Sequence, residues 1–179
     1  IVGLKERSEG TVRALLGPEL MTDDGLLTQQ GSSTFWDRST LYALRGIYNV
    51  GQADRATELL PRYSQRRLLG DHVPYPIEAW PEGSQRHLSA ESGLYCRIIT
   101  EGLFGIRPTG LRSFDLTPSM PAAWESMSLR HIRAFGSDFD ITVARVADGR
   151  LRITVARPGA KPKIYRAAPG ATIRVKLTD

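Results

Sequence analysis

The sequence is poor in cysteine and in the short motifs that mark common cofactor sites. Cys96 is the single cysteine among 179 residues, which excludes an internal disulfide and any cysteine cluster around a metal. Because Cys96 lies in a helical pattern among apolar neighbours, we expect a buried structural thiol. The patterns of phosphate-binding loops, dinucleotide-binding loops, zinc proteases and serine hydrolases are also missing. The sequence therefore predicts no metal and no cofactor.

Long apolar runs and a secretion signal are missing as well. No stretch approaches the roughly 18 apolar residues that a membrane-spanning helix needs, so no membrane partner is predicted. The chain begins Ile1-Val2-Gly3, without an initiator Met or a basic-then-apolar leader. We expect a C-terminal portion of a larger enzyme, with the remainder of the parent polypeptide as a partner. The localisation stays open between cytoplasm and periplasm.

The sequence carries an excess of positive charge. The net charge is +5, with 24 Lys and Arg against 19 Asp and Glu. The basic residues are spread along the chain, and near the C-terminus they alternate with apolar residues, which is typical of a solvated strand face. We therefore interpret them as an ordinary basic surface and predict no nucleic-acid partner.

The hydrophobic period changes along the chain. Up to about Gly110, apolar residues recur at intervals of three and four, which predicts helices over 38–50, 53–68 and 88–103. Beyond Gly110 the period is two, and Asp148-Gly149 separates two alternating runs as a hairpin turn would. The pattern indicates an α+β protein with antiparallel strands in its second half.

Two segments resemble a known superfamily. Residues 89–109 (SAESGLYCRIITEGLFGIRPT) and 116–124 (LTPSMPAAW) are similar to the closing segment of the six-hairpin glycosidases, above all the bacterial α-L-rhamnosidases and the cellobiose-type glycoside phosphorylases. The resemblance covers about residues 34–146. It implies the last helical hairpins of an (α/α)6 toroid, with residues 1–110 in a partial catalytic barrel and 111–179 in an antiparallel β-sheet cap. It also implies a carbohydrate substrate.

The resemblance implies a catalytic carboxylate. Inverting glycosidases use one carboxylic acid and, across the scissile bond, one carboxylate base. In the similar rhamnosidases a Glu-x-Trp motif ahead of the last barrel helix supplies the base, and Glu78-Ala79-Trp80 matches it. Glu78 is thus the predicted base, Trp80 a surface for a sugar ring, and Glu82 an alternative base or sugar ligand. The other interpretation is that Glu78 is a loop acid paired with Arg38 or Arg86. The general acid of the family lies on earlier hairpins, which this sequence does not contain; the alternative is that Asp37 substitutes for it.

Five further residues are predicted to bind substrate, each with a structural alternative. Glu91, in the first turn of a helix, either binds sugar or stabilises the helix dipole. Arg86 and His87 precede that helix and either meet a ligand or form structural hydrogen bonds. Trp36 and Asp37 open an earlier helix. There Trp36 either stacks on a sugar ring or is a core residue, and Asp37 either hydrogen-bonds neighbouring sugar hydroxyls or caps the helix. We expect all of these side chains to converge on one concave surface.

Three functions follow as hypotheses. The leading one is an inverting glycoside hydrolase that acts on an oligo- or polysaccharide. The second is a non-catalytic sugar-binding or scaffold module. The third is a glycoside phosphorylase, which is weakened because residues 85–90 keep the His of the phosphate-binding turn but lack its glycines.

Overall fold

The computed structural model describes residues 6–34, 36–69, 74–78 and 89–177. The chain divides into two compact units, residues 1–102 and residues 103–179. The helices of the described residues are all too short or too polar to span a bilayer.

The first unit is helical. Helix α1 covers Ser8–Leu15, α2 covers Asp37–Asn49, α3 covers Ala53–Leu68 and α4 covers Ser89–Arg97, which continues as a π-helical segment over Ile98–Leu103. The predictions of helices over 38–50 and 53–68 are confirmed to within one residue. The third predicted helix is present from residue 89, but its last six residues widen into the π-helical form.

The apolar stripes predicted for α2 and α3 form the core of this unit. Leu44 and Ile47 on α2 and Ala56 and Tyr63 on α3 are all buried. Gly51, with φ of +81°, allows the sharp reversal between the two helices, because glycine adopts positive φ without a steric penalty. The apolar period of the sequence predicted these two helices because the apolar residues of each form one face that is buried in the core.

The second unit contains seven strands in two antiparallel sheets. In chain order they are β1 (Ile106–Gly110), β2 (Ser113–Leu116), β3 (Ser126–Ala134), β4 (Ser137–Arg145), β5 (Leu151–Ala156), β6 (Lys163–Ala167) and β7 (Ile173–Lys176). One sheet has the order β1-β2-β7 and the other the order β3-β4-β5-β6. The predicted hairpin is confirmed, since β4 pairs with β5 around Gly149.

Aromatic rings join the two sheets. Phe114 on β2 stacks on Phe139 of β4 with ring centroids 5.5 Å apart, and on Phe135 at 5.0 Å. Phe114 and Phe139 are both buried. Offset rings of this kind add to the free energy that burial of their surface provides, so the sheets of this unit share one core.

The predicted fold class is wrong. The C-terminal hairpins of an (α/α)6 toroid with a single sheet as cap were expected, whereas the described residues form four α-helices and two antiparallel sheets, without a helical toroid. The physical reason is that the local period shows which face of each helix is buried but not how many helices close a ring. Over residues 16–34, where a further hairpin helix would be needed, the chain forms turns and one isolated bridge.

Two smaller expectations also fail. Cys96 is exposed rather than buried, because α4 directs Leu94 and Ile98 inward and leaves the position between them on the outside. Trp124 ends the segment 116–124, and the size of its ring predicts that it is buried; it is instead among the exposed large side chains of the second unit.

Candidate functional site

A buried ion pair organises the start of α2. Asp37, the first residue of the helix, is 1% exposed. Its Oδ1 accepts a hydrogen bond from Arg67 Nε at 3.1 Å and its Oδ2 accepts one from Arg67 Nη2 at 3.4 Å. A carboxylate also suits this position because the N-terminal end of a helix carries partial positive charge. Asp37 thereby links the beginning of α2 to the last turn of α3.

Asp37 also fixes a piece of loop. The backbone N–H of Ile77 donates to Asp37 Oδ2 over 2.8 Å, and the Ile77 side chain is fully buried. These two anchors hold the short described stretch 74–78 against the helices. The residue immediately after the anchor is Glu78.

Arg38 binds two glutamates at once. Its Nε donates to Glu91 Oε1 over 2.7 Å, and its Nη2 lies 2.6 Å from the same oxygen. Its Nη2 also lies 3.4 Å from Glu78 Oε1. The hydrogen bond to Glu91 is the largest cause that raises the pKa of Arg38, and the charges of both glutamates add to it. The arginine therefore stays cationic and connects the loop to α4.

Glu78 and Glu91 differ in access to solvent. The side chain of Glu78 is 26% exposed, whereas that of Glu91 is 0% exposed. Glu91 Oε2 has no hydrogen-bond partner among the described residues. Of the two carboxylates, only that of Glu78 is accessible to a ligand from solvent.

Two aromatic residues flank the cluster. Arg38 Cζ lies 5.8 Å from the centre of the Trp36 ring, within cation–π distance. On the interior side, burial raises the pKa of Tyr63 well above its ordinary value, and the nearby Asp37 carboxylate contributes to the rise. Because its pKa is raised, the Tyr63 hydroxyl remains neutral. It has no hydrogen-bond partner among the described residues.

The structure brings together part of the predicted set. Trp36, Glu78 and Glu91 all meet Arg38, and Asp37 holds the loop that carries Glu78. The remaining predicted residues lie outside the described part of the chain. They are Trp80, Glu82, Arg86 and His87.

Sequence reasoning missed Arg67 as a member of the cluster. The signal was present, since Arg67 follows Tyr63 by four residues and thus lies on the buried stripe of α3 rather than on its solvated face. An arginine on an apolar stripe calls for a buried acid, and here that acid is Asp37.

Comparison with known proteins identifies no relative: no family model, curated protein or solved structure matches the chain. Within the described residues, no three His, Cys, Asp or Glu side chains are grouped so that they could hold a metal ion. The described part of the site consists of carboxylates, arginines and aromatic rings.

Proposed function

We propose that this chain is part of a glycoside hydrolase that acts on an oligo- or polysaccharide, with Glu78 as the carboxylate base. The observation that carries the proposal is the accessibility of Glu78 within an otherwise buried cluster of charges. A base must reach the water or substrate that it deprotonates. Glu78 is partly exposed, whereas Asp37 and Glu91 are buried and engaged by arginines.

The position of Glu78 is supported from two directions. The hydrogen bond from Ile77 N–H to Asp37 restrains the backbone next to it, and Arg38 restrains its carboxylate. Catalytic groups need this kind of support, because small displacements of a reacting group cost large factors in rate. Trp36, beside Arg38, would offer an aromatic face to a sugar ring.

The proposal does not depend on a helical toroid. Glycosidic bonds are hydrolysed by two carboxyl groups placed on opposite sides of the sugar, and unrelated folds supply such pairs. We infer that the acid comes from the parent polypeptide, because the resemblance to the rhamnosidases implies an acid on earlier hairpins.

The test is Glu78→Gln in the full-length parent, assayed on a panel of aryl glycosides that includes an α-L-rhamnoside. We expect kcat to fall by about 10²- to 10⁴-fold with little change in KM, because a lost general base affects the chemical step. Proton NMR of the first product formed is expected to show inversion at the anomeric carbon. Wild-type turnover in Glu78→Gln would refute the assignment.

A matched control is available in the same unit. Glu101 is also a partly exposed glutamate paired with an arginine, since its Oε2 lies 2.9 Å from Arg45 Nη1. Glu101→Gln should keep full turnover. If both variants lose activity together with thermal stability, the two glutamates act through folding and not through catalysis.

A non-catalytic sugar-binding module is the second candidate. It is favoured by the burial of Glu91, which leaves Glu78 as the one accessible carboxylate of the described cluster. Sugar binding without turnover in the full-length protein would decide for this candidate. Turnover that requires inorganic phosphate would instead decide for a phosphorylase, and Arg86 and His87 would be the residues to substitute.

A further inference from the structure

The second unit carries most of the positive charge of the protein. Residues 103–177 contain 13 Lys and Arg but only 5 Asp and Glu. The sequence alone led us to treat this excess as an ordinary surface. The sheet β3-β4-β5-β6 shows that part of it is concentrated at one place.

Two arginines lie side by side on the exposed face of this sheet. Arg152 on β5 is directly opposite Arg166 on β6 in the antiparallel register, and both are exposed. The other face of β5 carries Leu151, Ile153 and Val155, which are buried. Opposite positions of this kind have Cβ atoms about 5 Å apart, and like charges placed there repel each other.

No carboxylate of the described residues lies within ion-pair distance of either arginine; Asp140, on the same face of β4, accepts a hydrogen bond from the His131 N–H. Asp115 binds Arg174, and Asp138 lies near Arg133 at 3.6 Å. Neither Arg152 nor Arg166 forms an ion pair with any described residue. An anion bound between the two guanidinium groups would remove the repulsion and satisfy their donors.

The surroundings of the pair are polar but not aromatic. On the same face, the row of cross-strand partners next to the two arginines carries three hydroxyl side chains, and Ser128 Oγ lies 3.1 Å from Thr142 Oγ1. At the end of this row lies Ile164, two residues before Arg166 on β6, and it is 53% exposed. No Phe, Tyr or Trp lies on this face of the described strands. In cross-strand order, the row consists of Ser128, Thr142, Thr154 and Ile164.

We propose that this face binds an acidic polysaccharide, with a uronate carboxylate held between Arg152 and Arg166. Arginine recognises planar carboxylates through paired hydrogen bonds. The row of hydroxyls suits sugar hydroxyl groups, and Ile164 suits the apolar face of a pyranose ring. Single-stranded nucleic acid is disfavoured because its bases are normally held by stacking on aromatic side chains. The site is independent of Glu78 and goes beyond the proposed hydrolase activity.

The experiment uses the full 179-residue chain and affinity gel electrophoresis with polygalacturonate in the gel. Dextran serves as the neutral polysaccharide. We expect retardation by polygalacturonate and none by dextran. Arg152→Gln combined with Arg166→Gln should weaken binding by at least about tenfold, the effect expected from the loss of charge-assisted hydrogen bonds.

The matched control removes the same charge elsewhere in the unit. Arg107 and Arg112 are exposed and lie outside this sheet, so Arg107→Gln combined with Arg112→Gln should leave polygalacturonate binding within about twofold of wild type, because only long-range attraction that salt screens is lost. Equal weakening by both double variants would overturn the proposal in favour of non-specific charge attraction. So would the absence of binding, or tighter arginine-dependent binding of oligo(dT). Glu78→Gln should bind polygalacturonate normally, so failure of the hydrolase assignment would not be mistaken for failure of this one.

Discussion

Removal of the buried carboxylate of Asp37 should be among the most damaging single changes in the first unit. Asp37→Ala removes the Asp37 carboxylate from the buried guanidinium of Arg67, which is 4% exposed. It also removes the acceptor of the Ile77 N–H. Breaking a buried pair by removal of one partner costs about 3–5 kcal/mol, so we expect a loss of about 4 kcal/mol in the free energy of unfolding.

The assay is urea unfolding followed by circular dichroism at 222 nm, since all four α-helices lie in the first unit. Asp24→Ala is the matched control. Asp24 pairs with the neighbouring Arg66 at 2.6 Å, but both side chains are well exposed. An exposed pair contributes about 0–1 kcal/mol, so Asp24→Ala should leave unfolding almost unchanged.

A second variant separates the loss of the Asp37–Arg67 ion pair from other effects of the substitution. Asp37→Ala combined with Arg67→Met removes both charges, so part of the lost stability should return. The reasoning would be refuted if Asp37→Ala cost less than about 1 kcal/mol, or no more than Asp24→Ala.

The remaining predictions concern the second unit. A Cβ at Gly105, where φ is +65°, would overlap the carbonyl oxygen of Thr117, so Gly105→Ala should lower the free energy of unfolding in urea by at least about 3 kcal/mol. The control is Gly136→Ala, which has φ of +66° but open space around it and should cost only about 1 kcal/mol. Equal costs for the two variants would contradict the overlap. The hydrogen bond from Arg174 lowers the pKa of Asp115, so the stabilisation is fully present above the unfolded pKa of about 3.9 and is lost as pH falls through the lower folded value. The difference in unfolding free energy between wild type and Asp115→Asn should therefore shrink from pH 7 to pH 3, and a constant difference would contradict the pKa argument.

The local elements follow directly from the sequence. The helix over 53–68 and the hairpin around Gly149 were predicted from hydrophobic period and turn composition alone. Both signals act over a few residues, because the period of side-chain burial is set by the geometry of the helix or strand itself. The same local signals do not tell how elements are assembled. This is why a toroid and a single cap sheet were expected, whereas the residues that the structure describes form neither.

The charged cluster was only partly visible in the sequence. Glu78 was singled out by its motif, and Arg38 was one of two partners considered for it. Only the packed helices show that Arg38 also binds Glu91, which is 53 residues away along the chain. They also show that Arg67 binds Asp37, which is 30 residues away. The energy of a buried charge depends on which opposite charge lies within a few ångströms, and sequence separation carries no information about that distance.

The sequence by itself therefore determined the helices over 38–50 and 53–68, the start of the helix at 89, the hairpin of β4 and β5, and the apolar face of each. Tertiary structure alone decided that Glu78 is accessible while Asp37 and Glu91 are buried, and that Arg152 lies opposite Arg166. The reason is physical: periodic burial arises within an element, whereas ion pairing, solvent access and cross-strand register arise between elements that only the folded chain brings together.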